Sequence, residues 1–192
     1  MWKEAAVHAV FCGSFVLSAL AASPADAAQA QQARGSPEAR LQALGIKLPP
    51  APTPVASYVP AVRTGNLVFI SGQGPVAGGK ATITGKVGAE ISEKQGYDIA
   101  RAAALNALAA LRAEIGSLDR VRRIVKVVGW VNSAPGFTRQ PWVINGASDL
   151  LVEVFGPAGR HARTAVSANE LPLDIPLEID FVVEVEPDTP DR

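Results

Sequence analysis

The segment from Ser92 to Gly116 constrains the fold more than any other part of the chain. Ser92 and Gln95 have the spacing of a capping box, Tyr97, Ala100, Ala104, Leu108, Leu111 and Ile115 recur at helical intervals, and Gly116 ends the run. This pattern predicts one long helix. Its many alanines leave little bulk on the buried stripe, so the helix can lie close against a sheet. An amphipathic helix of this kind must find a partner layer.

The flanking segments supply that layer. Tyr58 to Arg63 and Leu67 to Ser71 read as a hairpin joined around Thr64-Gly65-Asn66. The glycine-rich stretch from Gly72 to Gly88 reads as a loop or ragged strand, and its Gly72-Gln73-Gly74-Pro75 lacks the spacing of a phosphate-binding loop. Val121 to Val131 is a strand rich in β-branched residues, with Trp130 near its end as a core or interface residue. Thr138 is placed to cap a second helix from about Gln140 to Phe155, with Pro141 in its first turn and Gly156 beyond its end. Ala162 to Ala168 is a strand. In Ile175 to Val185, Leu177, Ile179, Phe181, Val183 and Val185 point one way while Glu178, Asp180 and Glu184 point the other. The order β-β-α-β-α-β-β predicts an α+β fold: a single-layer mixed β-sheet with two main helices on one face.

The N-terminal part has another character. Ala9 to Ala22 is an apolar run of the length used by secretion signals, and small-residue cleavage sites follow at Ala25-Asp26-Ala27 and Ala28-Gln29-Ala30. Residues 1–30 are therefore expected to be a leader, the protein exported to a periplasmic or extracellular space, and no stable membrane anchor left after cleavage. Residues 31–56 read as a short helix, capped by Ser36, begun by Pro37 and stopped by Gly45, followed by the stiff linker Leu48-Pro49-Pro50-Ala51-Pro52-Thr53-Pro54. Residues 57–186 are the main domain and 187–192 a tail.

Charge and cysteine usage narrow the chemistry. The 192 residues carry 18 basic and 18 acidic side chains, and losing Lys3, Glu4 and Asp26 with the leader leaves the balance near zero. No nucleic-acid groove is expected, since one needs a basic surplus. The one cysteine, Cys12, and one of the two histidines, His8, lie in the leader. The remaining domain has no disulfide, no thiolate nucleophile and, with His161 alone, no set of ligands for a zinc site. No metal and no cofactor are expected.

What remains is an arginine and an acid on adjacent strands. Arg163 opens one strand, and Glu178 lies in the next, across the turn Glu170-Leu171-Pro172-Leu173-Asp174. Arg163 offers a planar fork suited to a carboxylate, or to an interface salt bridge, Glu178 itself being one candidate partner. Glu178 can orient or deprotonate a water, or sit on the solvated side of its strand. Val68-Phe69-Ile70-Ser71-Gly72-Gln73 is an apolar strand whose Ser71 either bonds a ligand or ends the strand. Asn145 fits a pocket or a helix surface, Tyr58 a pocket wall or the core, and His161 a loop position beside Arg160 and Arg163.

Together these residues resemble the RidA (YjgF) family of reactive-intermediate deaminases, which have a chorismate mutase-like fold. The resemblance spans Tyr58 to Val185 and rests on Tyr58, Ser71-Gly72-Gln73, Asn145, Arg163, Leu171-Pro172 and Glu178 in that order. It implies a homotrimer with clefts between subunits, hydrolysing imines and enamines to 2-keto acids and ammonia without metal or cofactor. By the resemblance, Arg163 binds the substrate carboxylate, Glu178 positions water, and Tyr58, Ser71, Asn145 and Ala165 line the pocket. Ala165 stands where the family commonly has a cysteine, and the segment around Asn145 (Trp142-Val143-Ile144-Asn145-Gly146) is divergent, as in a branch labelled endoribonucleases. A non-catalytic trimer binding small carboxylates is the alternative reading, and RNA cleavage a further one. A closed homo-oligomer is also expected on other grounds. Val68, Ile70, Val125, Val127 and the last strand offer more apolar surface than two helices can cover.

Overall fold

A computed structural model describes residues 35–53 and 56–187. The predicted leader and the tail beyond Pro187 lie outside the described residues. Strands β1 (Ala61–Thr64) and β2 (Leu67–Gln73) form the hairpin. A small antiparallel pair, β3 (Val76–Ala77) and β4 (Lys80–Ala81), occupies the glycine-rich stretch. Helix α1 is Pro37–Ala43, α2 is Glu93–Ile115 and α3 is Gln140–Phe155. Strands β5 (Val121–Asn132), β6 (Ala162–Ala168) and β7 (Leu177–Val185) complete the set. The main sheet has the order β1-β2-β7-β5-β6, antiparallel except for the β5–β6 pair.

β7 is central because it is apolar on one side throughout. Leu177, Ile179, Phe181, Val183 and Val185 are all buried, and the residues between them are half-buried on the other face. Each such burial contributes about 1.5–3 kcal/mol. Helices α2 and α3 cover that face. Ala100, Ala103, Ala104, Ala107, Leu108 and Leu111 of α2 are fully buried, as are Val143, Ile144, Ala147, Leu150, Leu151 and Val154 of α3. The capping box at Ser92 forms in full: Gln95 N donates to Ser92 Oγ and Ser92 N to Gln95 Oε1. Ser36 caps α1 as predicted.

Two expectations need correction. Thr138 does not cap α3. Arg139 occupies the cap position with no side-chain bond, and its carbonyl accepts from the amides of Trp142 and Val143. Pro141 has no amide hydrogen, so this first turn leaves fewer donors for a cap to satisfy. The uncovered apolar surface is also composed differently. Val68, Ile70 and Val127 lie beneath the helices, and Val125 sits at a shift in register between β5 and β7. The open face instead presents Val62, Phe69, Trp130 and Val166 as exposed side chains, with Val128 and Val182 half-buried beside them.

The two helices meet where both lack side chains. A Cβ built on Gly146 of α3 would collide with the Tyr97 carbonyl of α2, far inside van der Waals contact, and one on Gly96 would lie 3.1 Å from Val143 Cγ1. On the solvent side, Tyr97 Oη donates to Asp149 at 2.8 Å, and Arg101 pairs with Glu153 through two bonds of 3.2 and 2.6 Å. Gly146→Ala is expected to lower stability by about 3 kcal/mol, the upper end of overpacking penalties. Equilibrium urea unfolding measures this, and a variant with an unchanged midpoint would show that the helices are free to separate.

Candidate functional site

The sheet separates the predicted site residues into two groups. Arg163 on β6 pairs with Val127 of β5, which pairs with Phe181 of β7. Val127 and Phe181 face the helices, so Arg163 does too. Glu178 pairs with Trp130, which pairs with Val166, and both of those are exposed on the open face. Two inter-strand steps, across β5, and three residues along the strands separate Arg163 from Glu178, roughly 14 Å by strand geometry, and they lie on opposite faces. One copy of the chain therefore does not bring the predicted carboxylate binder and the predicted acid together, nor pair them as a salt bridge.

The first group surrounds Arg163. Its Nη1 donates to Asn145 Oδ1 at 2.8 Å and to Ser148 Oγ at 3.0 Å, both on α3. Both hydrogens of Nη1 are thus used, while Nε and Nη2 have no partner among the described residues. The open edge of the guanidinium can hold a carboxylate through two parallel bonds. His161 supports this arrangement. Its Nδ1 lies 2.7 Å from the Gly159 carbonyl, which can only accept, so Nδ1 carries the hydrogen in the neutral ring. Nε2 then accepts from Ser148 Oγ at 3.1 Å. Burial holds the imidazole below its usual range, aided by the Arg163 charge, despite the opposing Gly159 bond. Ala165 lies two residues along β6, half-buried against the core beside Gly129, and makes no polar contribution.

The second group surrounds Glu178. It lines a cleft of about 440 Å³ together with Tyr58, Gly72, Gln73, Asn106 and the proline linker. The carboxylate lies so close to the backbone of β2 that a Cβ on Gly72 would overlap it. This is the physical reason for glycine in Ser71-Gly72-Gln73: the acid needs the space. Gly72 lies where the β2–β7 register shifts. Burial raises the Glu178 pKa above the ordinary carboxylate range, and Asp180 raises it further. Ser71 does not face the cleft with a free hydroxyl. Its Oγ donates to the Val59 carbonyl at 2.7 Å and ties β2 to the segment before β1.

Several contributors were not foreseen. Ser148 gave no signal beyond its place three residues after Asn145 on a predicted helix. Asn106 of α2 donates to the Gly74 carbonyl at 3.0 Å and fixes the cleft floor. Pro49, Pro50 and Pro52, predicted as part of a stiff linker, line the cleft. Among the described residues no cluster of three or more His, Cys, Asp or Glu could hold a metal, and no helix is long and apolar enough to cross a membrane.

Comparison with known proteins agrees with this architecture. Residues 38–184 match the family model described as "YjgF/chorismate mutase-like, putative endoribonuclease". The chain belongs to this YjgF family, and its fold is the chorismate mutase-like α+β sheet of that family. Protein TCP17 of Trypanosoma cruzi is 46% identical over 154 residues, covering 80% of this chain and 96% of that protein. A crystal structure from Shewanella oneidensis with the endoribonuclease designation is 35% identical with a TM-score of 0.75, over 79% of this chain and all of that one. Escherichia coli TdcF, solved with bound serine, is 26% identical with a TM-score of 0.51, over 71% of this chain and 94% of TdcF.

The raised pKa of Glu178 has a measurable consequence. Its protonated form is favoured in the folded chain, so stability falls as pH rises through the folded pKa, and is highest below the unfolded one. Glu178→Gln is expected to raise the unfolding midpoint near about pH 7 and to have little effect below the ordinary carboxylate range. Thermal melts across pH test this; a variant less stable than the parent at neutral pH would contradict the burial argument.

Proposed function

We propose that the chain is a hydrolase of 2-imino acids whose site is completed by two copies, Arg163 and Asn145 coming from one and Glu178 and Tyr58 from the next. The observation that carries this reading is the division of the site residues between two faces of the sheet. Each half is incomplete alone: an open guanidinium edge without an acid, and a desolvated acid without a cation. The exposed Phe69, Trp130 and Val166 on the Glu178 face give a second copy an apolar surface to cover.

The chemistry follows from the groups. Arg163 grips the substrate carboxylate and fixes the position of the C=N carbon, and positioning is a large share of catalysis for an already reactive imine. Glu178 accepts a proton from water as the water oxygen bonds to that carbon. That proton passes to the imine nitrogen, giving a carbinolamine; the remaining hydroxyl proton then passes through the same carboxylate to the nitrogen as the C–N bond breaks and the C=O bond forms, releasing ammonia and a 2-keto acid. Desolvation raises the Glu178 pKa, which makes its carboxylate a stronger base than one in water and suits a group that takes and returns a proton. TdcF, a relative of the same fold, holds serine, which also carries an α-carboxylate. RNA cleavage is less well supported: 18 basic against 18 acidic side chains leave no cationic surplus for a phosphate backbone.

Two inactive variants test the shared site. Arg163→Ala and Glu178→Gln are each expected to lower kcat/KM for an imine generated in situ by at least roughly 100-fold. Co-expressed in equal amounts, they assemble some sites from the intact half of each, and random mixing in a closed ring restores about a quarter of parental activity. Recovery of no activity in verified mixed oligomers would place the site within one chain or nowhere.

A further inference from the structure

The cleft beside Glu178 is larger and more apolar than the smallest 2-imino acids require. We infer that it holds the side chain of the substrate, and that the chain acts on imino acids with branched aliphatic or aromatic side chains. This inference rests on the imine-hydrolase reading above.

Three observations support it. The cleft measures about 440 Å³, within the range of sites that enclose a substantial organic group. An imine with only a methyl side chain would leave most of it unfilled and lose the dispersion contacts of its walls. Those walls are mostly apolar, Pro50, Pro52, Tyr58, Leu173 and Ile175 among them, with Thr53, Gln73 and Asn106 as polar groups and Glu178 the only charged one among the described residues. The carboxylate must then be held from outside the cleft, which orients the remainder of the molecule inward.

The third observation is backbone strain at the cleft mouth. Leu173 and Asp174 both adopt positive φ, +59° and +55°, a region that favours glycine. The turn is held there by its neighbours. Asn132 Nδ2 donates to Asp174 Oδ1 at 3.1 Å and Gly85 N to the Asp174 carbonyl at 2.9 Å. Asn132, fully buried, is itself fixed by Lys86 Nζ at 2.7 Å. A turn that only reversed the chain would be better served by glycine. Here the strained position carries a leucine, 55% exposed, that lines the cleft. Strain maintained by a fully satisfied anchor, at the wall of a candidate site, marks a residue kept for its side chain.

The test compares imines made in situ by an amino acid oxidase from alanine, leucine and phenylalanine, following keto-acid formation above the spontaneous rate. For the full chain, kcat/KM for the leucine or phenylalanine imine should exceed that for the alanine imine by at least about tenfold. Leu173→Gly and Pro50→Gly should each reduce that ratio at least about threefold. Leu173→Gly should do so without lowering Tm, because glycine accepts the positive φ. Equal kcat/KM for all three imines, with activity still dependent on Arg163, would overturn this inference and leave the hydrolase reading intact. A ratio unchanged in both variants would also overturn it. If no imine is hydrolysed, calorimetry with phenylpyruvate and pyruvate decides. Tighter binding of phenylpyruvate, lost in Leu173→Gly, would retain the side-chain site and remove the hydrolase reading; equal or absent binding would remove both.

Discussion

The contact between Gly146 and the Tyr97 carbonyl sets the height of α3 above α2 and above the sheet. With no side chain on either side of the contact, α3 seats close enough for Val143, Ile144 and Ala147 to reach the core. Asn145 precedes this glycine and Ser148 follows two residues later, and these two side chains hold Arg163. A helix lifted by one methyl group would move both acceptors away from Nη1. The geometry of the guanidinium, 18 residues from Asn145 in sequence, is therefore fixed by packing on the far side of the same helix. The Tyr97–Asp149 and Arg101–Glu153 pairs act on the same contact from the solvent side, but they are exposed and contribute little by comparison.

The sheet imposes the second constraint. Side chains alternate between faces, and Arg163 and Glu178 are separated by an odd number of residues in register. No local adjustment can place them on one face, because a one-residue slip would turn the whole buried set of β7 toward solvent. Fifteen residues of sequence separation suggested a shared pocket, whereas the register excludes one within a chain. The same alternation that makes β7 so legible as a strand is what divides the site.

This explains which parts were readable from sequence. Elements governed by local periodicity were clear: the capped helix from Glu93 to Ile115, the alternating β7, the helix ended by Gly156 and the hairpin around Gly65. Features governed by pairing were not. That β7 is central, with β5 between it and β6, is decided by long-range hydrogen bonds that no local pattern carries. The covered and open faces were confused for the same reason: Val68 and Phe69 are equally apolar neighbours, and only the topology shows which of them meets the helices. Ser148 and Asn106 were missed because a polar residue in a helix has the same signature whether it faces solvent or supports a site. The prolines from Pro49 to Pro52 were read correctly as stiff, but stiffness does not reveal what a segment lies against.

The unfavourable features of the molecule are concentrated on one side. Glu178 is a carboxyl moved out of water with no cation beside it among the described residues, Leu173 and Asp174 hold a backbone conformation that costs stability, and Phe69, Trp130 and Val166 expose apolar surface. On the helix-covered side, described polar groups such as Gln140 and Ser133 bond to one another and to backbone carbonyls. No buried side-chain nitrogen or oxygen among the described residues lacks a partner. With the described buried polar atoms all satisfied, the strain and desolvation on this face serve no folding purpose. The face that is poorly stabilised alone is the one to which a second copy and a small acid can contribute the missing interactions.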